Sequence, residues 1–145
     1  MAKIKRFEEL ECWQGARKFV SYIYSLTNND RFKRDFELVK QIRGSAVSSM
    51  ANIAEGFHRN SSREFMRFLD YSRASIAETL SHLYVALDQK YIDKQEIDNA
   101  KRVADIVWKK VNNFISYLKK DSDKNKDSSS ESSQKGSIDK ANNTN

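Results

Sequence analysis

Apolar side chains recur along the first 120 residues at spacings of three and four, the period of an amphipathic helix. Four segments show this pattern, at 8–28, 35–55, 62–88 and 94–119, and short polar connections separate them. In the last segment the apolar side chains repeat every seven residues in two series, one of Ile97, Ala104, Val111 and Leu118 and the other of Ala100, Val107 and Phe114. A seven-residue repeat implies helices packed at shallow crossing angles. The pattern therefore predicts an all-α fold, an antiparallel up-down-up-down four-helix bundle.

Capping residues set the predicted ends of three helices. Ser61 with Glu64 three residues later fits a capping box at the start of the third helix. Asp93 is the predicted N-cap of the fourth helix. Gly56 is predicted to end the second helix as a C-terminal cap, because glycine commonly follows the last helical turn.

The first helix is apolar on more than one side. Phe19 and Tyr22 cannot share a side with its other large apolar residues, which are Trp13, Val20, Ile23 and Leu26. A helix with two apolar sides needs two surfaces to cover it. The pattern therefore predicts that another surface, such as a second subunit, packs on this helix.

Residues 121–145 lack the pattern: they contain almost no apolar side chain and show no periodicity. Such a segment cannot bury enough surface to offset its chain entropy, so we expect a disordered tail after a folded domain at 1–120. The chain has no proline, and its single cysteine, Cys12, excludes an intramolecular disulfide. No apolar run approaches the roughly 20 residues of a membrane span, and the N-terminus lacks a signal peptide's apolar stretch. We therefore expect a cytoplasmic protein that does not contact membranes.

The folded part is basic. Its 22 basic and 15 acidic residues give residues 1–120 a net charge of +7, although the whole chain carries +6. Two rows of cations are candidates for binding the phosphates of RNA or DNA: Arg59, Arg63 and Arg67, and Lys94, Lys101, Arg102, Lys109 and Lys110. The alternative is an ordinary solvated helix face with pairs within the helix, such as Arg63 or Arg67 with Glu64 or Asp70.

Catalytic and cofactor motifs are missing from the sequence. It has no glycine-rich phosphate-binding loop and no nucleophile elbow, and its two histidines, His58 and His82, do not fit a di-iron pattern. The sequence thus predicts no enzyme activity, no metal and no cofactor. One enzymatic alternative remains open, in which Glu55, Glu78 or His82 converge in a pocket; pairing with Arg43, Arg59 or Arg73 would argue against it.

The stretch QIRGSAVSSMANIAEGFHR at 41–59 places small and polar residues on a helix that must also form core. Small side chains allow a neighbouring helix to approach closely. Asn52 and Glu55 then need partners, for which Ser75, Glu78 and the nearby arginines are the candidates. We expect that replacing Asn52 or Glu55 by alanine damages folding or assembly before it damages a binding surface.

Several motifs together carry a resemblance to a known family. They are Phe7-x-x-Leu10-x-x-Trp13-Gln14, Gln41-Ile42-Arg43, Ser45-Ala46-Val47-Ser48-Ser49, Asn52-Ile53-Ala54-Glu55-Gly56-Phe57 with Arg59, Glu64-Phe65-x-x-Phe68-Leu69 and Ala74-Ser75-Ile76-Ala77-Glu78-Thr79. Over residues 5–118 the chain resembles the bacterial four-helix bundle proteins, which include proteins encoded in intervening sequences of 23S ribosomal RNA genes. The matching family positions are Gln41, Arg43, Ser48, Asn52, Glu55, Gly56, Arg59, Ser75 and Glu78. The chain departs from the family pattern at Gly44 and in its long serine-rich tail.

The resemblance implies a ring of bundles, typically a pentamer, without established enzymatic activity. It also implies kinship with accessory proteins of diversity-generating retroelements, which are basic pentameric bundles that bind a reverse transcriptase and nucleic acid. We therefore expect a non-catalytic homopentamer that binds RNA, DNA or a nucleic-acid-processing partner through basic surfaces. The alternative is a protein-interaction accessory subunit of a reverse transcriptase.

Overall fold

Four α-helices make up the computed structural model, which describes residues 3–138 and the side chains of residues 3–130. They are α1 (Glu11–Thr27), α2 (Phe36–Phe57), α3 (Ser62–Asp88) and α4 (Lys94–Ile138). Short 3-10 turns at Phe7–Glu9 and Phe32–Arg34 precede α1 and α2. Each helix packs on the next, and α4 packs back on α1. No strand occurs among residues 3–138, so the predicted all-α, up-down-up-down four-helix bundle is confirmed.

The core consists of the apolar positions that the helical period selects. On α4 both predicted series face inward, and all of their members are buried except Phe114, which is half-buried. Fully buried partners on α2 and α3 are Ile42, Ile53, Leu69, Ile76 and Leu83. None of the described helices is both long and apolar enough to cross a membrane.

The predicted N-caps of α3 and α4 are confirmed. The Ser61 hydroxyl accepts a hydrogen bond from the Glu64 backbone N–H at 3.1 Å. At α4 the capping box is reciprocal: the Asp93 carboxylate accepts from the Glu96 N–H at 2.8 Å, and the Glu96 carboxylate accepts from the Asp93 N–H at 3.1 Å. Each bond satisfies an N–H that has no partner inside the helix.

Gly56 does not cap α2, contrary to the sequence-based expectation. The helix continues through Phe57, His58 occupies the C-cap, and no glycine of the described chain has a positive φ. Gly56 instead faces α3: a Cβ added to it would lie 2.7 Å from both Phe65 Cδ2 and Phe68 Cβ. Glycine is needed here because the two helices approach too closely for any side chain.

The second apolar side of α1 is covered within the same chain. Phe19 is fully buried, and Tyr22 is half-buried with its hydroxyl donating to the Glu96 carbonyl of α4 at 3.0 Å. Gly15 supports this contact, since a Cβ there would meet Val107 Cγ2 at 3.4 Å. The packing of α4 on α1 therefore accounts for the two-sided pattern, and α1 requires no second subunit to cover it.

α4 continues to Ile138, past the end predicted at residue 119. The continuation runs through part of the segment that we expected to be disordered. From 121 to 130 every side chain is exposed except the half-buried Ser122, so this segment adds nothing to the core. Residues 121–135 contain neither proline nor glycine, so no residue there interrupts the helical hydrogen bonds or adds the backbone freedom of glycine. Residues 139–145 of the predicted tail lie outside the described residues.

Candidate nucleic-acid interface

The first predicted row of cations lies where α2 turns into α3. Arg59, Arg63 and Arg67 are all exposed, but two of them have an acidic partner. Arg59 pairs with Glu55 at 2.7 Å, and Arg67 lies 3.6 Å from the Glu64 carboxylate. Arg63 has no polar partner among the described side chains. Of the pairs within a helix that the alternative predicted, Arg67 with Glu64 is therefore present, whereas Arg59 lies beyond the end of α2 and pairs back to Glu55.

The second row divides between two sides of α4. Lys94 and Lys101 lie on the α3 side, where Lys94 pairs with Asp98 at 3.2 Å and Lys101 donates to the Tyr84 hydroxyl at 3.2 Å. That hydrogen bond raises the pKa of Lys101. The other three members, Arg102, Lys109 and Lys110, lie on the outer and α1 sides. The second row is therefore not one continuous surface.

The outer and α1-side cations of α4 have no acidic partner among the described residues. Arg102 donates to the neutral Asn99 side chain, and no polar contact to another side chain engages Lys109 or Lys110. The Lys110 stem runs across α1, where its Cδ would lie 3.6 Å from a Cβ added to Gly15. These cations are therefore free to neutralise an external anion.

α1 extends this basic surface with a residue that the sequence-based search missed. Lys18 is exposed, lies three residues after Gly15 and has no polar partner in the described chain. We define the α1–α4 basic face as Lys18, Arg102, Lys109 and Lys110. The sequence alone cannot join Lys18 to the α4 cations, because their proximity depends on the packing of α4 against α1.

A polar seam joins α2 to α3 on another side of the bundle. We define the α2–α3 seam by its five buried hydroxyl residues, which are Ser45, Ser49, Ser72, Ser75 and Thr79. The hydroxyls of Ser45 and Thr79 are 2.7 Å apart, and the Ser72 hydroxyl donates to the Ser49 carbonyl at 2.7 Å. Small hydroxyl residues let the helices approach closely and satisfy one another's hydrogen-bonding groups.

The family-motif residues on the outer edge of this seam make local contacts. Asn52 donates from its side-chain amide to the Ser48 carbonyl at 2.9 Å and to the Ser48 hydroxyl at 3.1 Å. Ser75 reaches the same hydroxyl across the seam at 3.1 Å. Gln41 is exposed beside the shallow groove that Ser48 and Glu78 also line. Asn52 therefore finds its partner in its own helix and reaches Ser75 only through Ser48.

Arg43 ties α2 to the end of α1. Its Nε donates to the buried Thr27 hydroxyl at 2.9 Å, and its Nη2 donates to the Asn28 side chain at 3.2 Å. The guanidinium also lies 4.4 Å from the centroid of the Tyr24 ring. This family-motif arginine therefore stabilises a helix junction and does not pair with Glu55 or Glu78.

The residues of the enzymatic alternative do not share a pocket in the described chain. Glu55 pairs with Arg59, whereas Glu78 lies 3.4 Å from His82 in its own helix. The groove beside Glu78 includes neither Glu55 nor His82. Among the described residues no group of three or more His, Cys, Asp or Glu side chains could hold a metal ion.

Cys12 lies in the apolar interior between α1 and α4. Its side chain is only 2% exposed, and burial raises the pKa of its thiol from 9.0 to about 11. Because the thiolate is the reactive form, this cysteine is held in its unreactive protonated state at neutral pH.

Residues 8–113 match the family model of the 23S rRNA-intervening sequence proteins, and the match spans most of the chain. The chain belongs to this family. Among solved structures, it is similar to a protein of unknown function from the S23 ribosomal protein family of Bacteroides thetaiotaomicron, with a TM-score of 0.64 and 22% identity. The alignment covers 72% of this chain and 97% of the other, and at that identity it shows a shared fold. A comparison with curated proteins finds no match.

Proposed function

We propose that this intervening-sequence family member is a non-catalytic, oligomeric bundle that binds nucleic acid through the α1–α4 basic face. The observation that carries the proposal is the absence of acidic partners for Lys18, Arg102, Lys109 and Lys110 among the described residues. Cations without acidic partners can replace the counterions around phosphates, and the released counterions drive binding. Because the family is defined by intervening sequences of 23S rRNA, RNA is the first nucleic acid to test.

The division of the predicted cations favours this face over the α2–α3 turn. Glu55 and Glu64 already offset the charges of Arg59 and Arg67, so the local field near the turn is weaker. All eight predicted cations remain candidates for phosphate contact, but we expect the unpaired α4 cations to contribute most. The contacts are to phosphates, so we expect little sequence preference.

Two charge-matched triple variants test the location. In one, Arg102, Lys109 and Lys110 are replaced by glutamine, and in the other Arg59, Arg63 and Arg67 are replaced. Fluorescence anisotropy with a structured RNA, titrated at several salt concentrations, gives both the affinity and its salt slope. We expect the α4 variant to bind at least about tenfold more weakly and to lose roughly two units of the salt slope. The turn variant should change much less.

The outcomes separate the two parts of the proposal. An equal loss in both variants would contradict the location but leave nucleic-acid binding standing. No binding by the unaltered protein to RNA or duplex DNA at low salt, or binding that does not depend on salt, would overturn the function itself. Circular dichroism of both variants controls for unfolding.

Assembly is the second part of the proposal, with a homopentamer as the expected form. Its structural support is an α2 outer strip of exposed apolar or small residues, Phe36, Gly44, Val47 and Ala51, which Lys40 interrupts between the first two. Phe36 is 82% exposed, which is unusual for a phenylalanine on an isolated monomer. Light scattering should give a mass five times that of the 16.9 kDa chain. A stable monomer at micromolar concentration would overturn it.

A second candidate function is that of an accessory subunit of a reverse transcriptase in a diversity-generating retroelement. The same α2 outer strip favours it, because an exposed apolar surface separate from the basic face suits a protein partner. A neighbouring reverse-transcriptase gene with a template repeat, followed by co-purification of the two proteins, would support it. A gene within a 23S rRNA intervening sequence and no co-purification would contradict it.

A further inference from the structure

The outward side of α4 forms a continuous ridge of exposed residues. We define the α4 ridge as Arg102, Ile106, Lys109, Asn113, Tyr117 and Lys120, which recur at spacings of three and four. None of them is acidic, and the ridge shares Arg102 and Lys109 with the α1–α4 basic face. From 102 to 120 it extends about 27 Å along the helix axis.

Tyr117 is the distinctive member of the ridge. Its side chain is 54% exposed, and its ring centroid lies 5.6 Å from that of Phe114. Phe114 is in turn fixed against Phe65 of α3, with a centroid distance of 5.2 Å. The ring therefore rests on a supported aromatic pair, and its hydroxyl has no hydrogen-bond partner among the described residues.

The other three exposed tyrosines of the described chain differ from Tyr117. Each of their rings is approached by a cation: Arg43 lies 4.4 Å from Tyr24, Arg67 lies 5.7 Å from Tyr71, and Lys101 lies 5.8 Å from Tyr84. No cation of the described chain lies over the Tyr117 ring. With Tyr117 54% exposed and no cation of the described chain over its ring, the ring is available to an external planar group.

We propose that the α4 ridge binds single-stranded nucleic acid, with Tyr117 stacking on an unpaired base. An exposed aromatic ring flanked by cations is the arrangement that single-strand-binding surfaces use, because bases stack on the ring while cations neutralise the backbone. Lys109 and Lys120 lie on either side of Tyr117 along the ridge and supply those charges. Asn113, one turn before Tyr117, offers amide groups to a base edge.

This proposal rests on the proposed function and narrows it to unpaired strands. In a duplex the bases are stacked on one another and cannot reach a ring on a convex helix surface, so only the cations would act. A track of about 27 Å accommodates a short strand, within the range of about 4–16 nucleotides typical of single-strand sites.

The test compares labelled strands of about 12 nucleotides with a duplex of equal length, by fluorescence anisotropy at low salt. The probes are an oligouridylate, an oligodeoxythymidylate and a mixed-sequence RNA duplex. Tyr117→Ala should weaken single-strand binding by about 5- to 100-fold and leave duplex binding unchanged. Tyr117→Phe, which keeps the ring, should bind within about threefold of the unaltered protein. Tyr71→Ala is the matched control at an exposed tyrosine elsewhere and should not change binding.

The two strand chemistries identify the ligand. Tighter binding of the RNA strand would indicate contacts to the 2′-hydroxyl, whereas equal affinity would indicate recognition through base and phosphate alone; both support the proposal. Unchanged single-strand affinity in Tyr117→Ala, or a duplex bound as tightly as the strands, would overturn it while the proposed function stands. Absence of binding to all three probes would overturn the proposed function as well.

Discussion

Two regions of the bundle use polar side chains in opposite ways. The α2–α3 seam buries five hydroxyl residues and satisfies them within the chain, as in the 2.7 Å contact between Ser45 and Thr79. The α1–α4 contact is apolar inside and cationic outside, and the charges of its basic face have no acidic partner in the described chain. Both regions are helix pairs with similar amphipathic periods, so the period alone does not distinguish them.

The difference separates residues that build the bundle from residues available to a ligand. The polar groups of the α2–α3 seam form contacts between the two helices. Most of the family-motif positions lie in this seam or beside it. In the described chain the α1–α4 basic face makes a polar contact where Arg102 donates to the Asn99 side chain, and it makes none to an acidic group. A motif rich in serine, asparagine and glutamate therefore reflects helix packing here, whereas the binding surface that we propose consists of lysines and arginines outside the main motif.

The largest effect is expected at Gly56, where α2 and α3 approach too closely for a side chain. Gly56→Ala places a Cβ 2.7 Å from Phe68 Cβ, an atom fixed to the α3 backbone, so the two helices must separate. We expect a loss of about 2–3 kcal/mol in the free energy of unfolding, measured by urea denaturation at fixed protein concentration.

Gly44→Ala in the same helix is the matched control. A Cβ at Gly44 meets nothing within 4 Å, so the substitution should stabilise the protein by about 0.5–1 kcal/mol through helix propensity. A Gly56→Ala variant as stable as Gly44→Ala would show that the contact between α2 and α3 at this position tolerates expansion.

On the α1–α4 side, the pH dependence of the free energy of unfolding should show whether water reaches the buried Cys12 thiol. Burial raises the pKa of the Cys12 thiol from 9.0 to about 11, so the unfolded chain loses this proton first as pH rises. The stabilising contribution is complete below about pH 9 and is lost as the pH approaches 11, amounting to about 2 kcal/mol. Denaturation at pH 8 and pH 10.5 should show a steeper loss for the unaltered protein than for Cys12→Ala. Parallel curves would mean that water reaches the thiol.

The Ser45–Thr79 contact should give an intermediate effect. Thr79→Val keeps the shape of the side chain but removes a buried hydroxyl, and we expect a cost of about 1 kcal/mol. A double-mutant cycle with Ser45→Ala isolates the pairwise energy from other losses. A coupling energy near zero would show that the two hydroxyls contact each other without stabilising the seam.

The smallest effect is expected at Glu55. Its carboxylate is exposed and, among the described residues, pairs with Arg59 alone, so Glu55→Ala should cost under about 0.5 kcal/mol in denaturation. Asn52→Ala, which removes two hydrogen bonds to Ser48, should cost more. Light scattering of both variants would then test whether either residue matters for assembly. A large stability loss in Glu55→Ala would point to a partner surface.

The helical period was sufficient to predict the bundle. The bounds of α3 match residue for residue at 62 and 88, because Ser61 caps one end and the apolar pattern stops at the other. The seven-residue series on α4 identified its buried face for the same reason. These features are local, so a single sequence contains them.

Features that depend on tertiary contacts were harder to predict from the sequence. A glycine near a helix end is typical of a cap as well as of close packing, and only the position of Phe65 and Phe68 decides between them at Gly56. The positions of Phe19 and Tyr22 correctly predicted a second apolar side of α1. The sequence could not show that α4 covers this side. The basic rows were similarly ambiguous, since which cations are neutralised depends on side-chain geometry.

Gly56 has a consequence for how the family pattern is read. At this position the motif residue sets the distance between the axes of α2 and α3, because glycine has no side chain. It contributes no functional group. A relative with a larger residue here would have to move α3 outward or use smaller side chains at the positions of Phe65 and Phe68. A larger residue at position 56 should therefore occur together with smaller residues at positions 65 and 68. Such paired changes among relatives would show from sequence alone which bundles have a wider separation of α2 and α3.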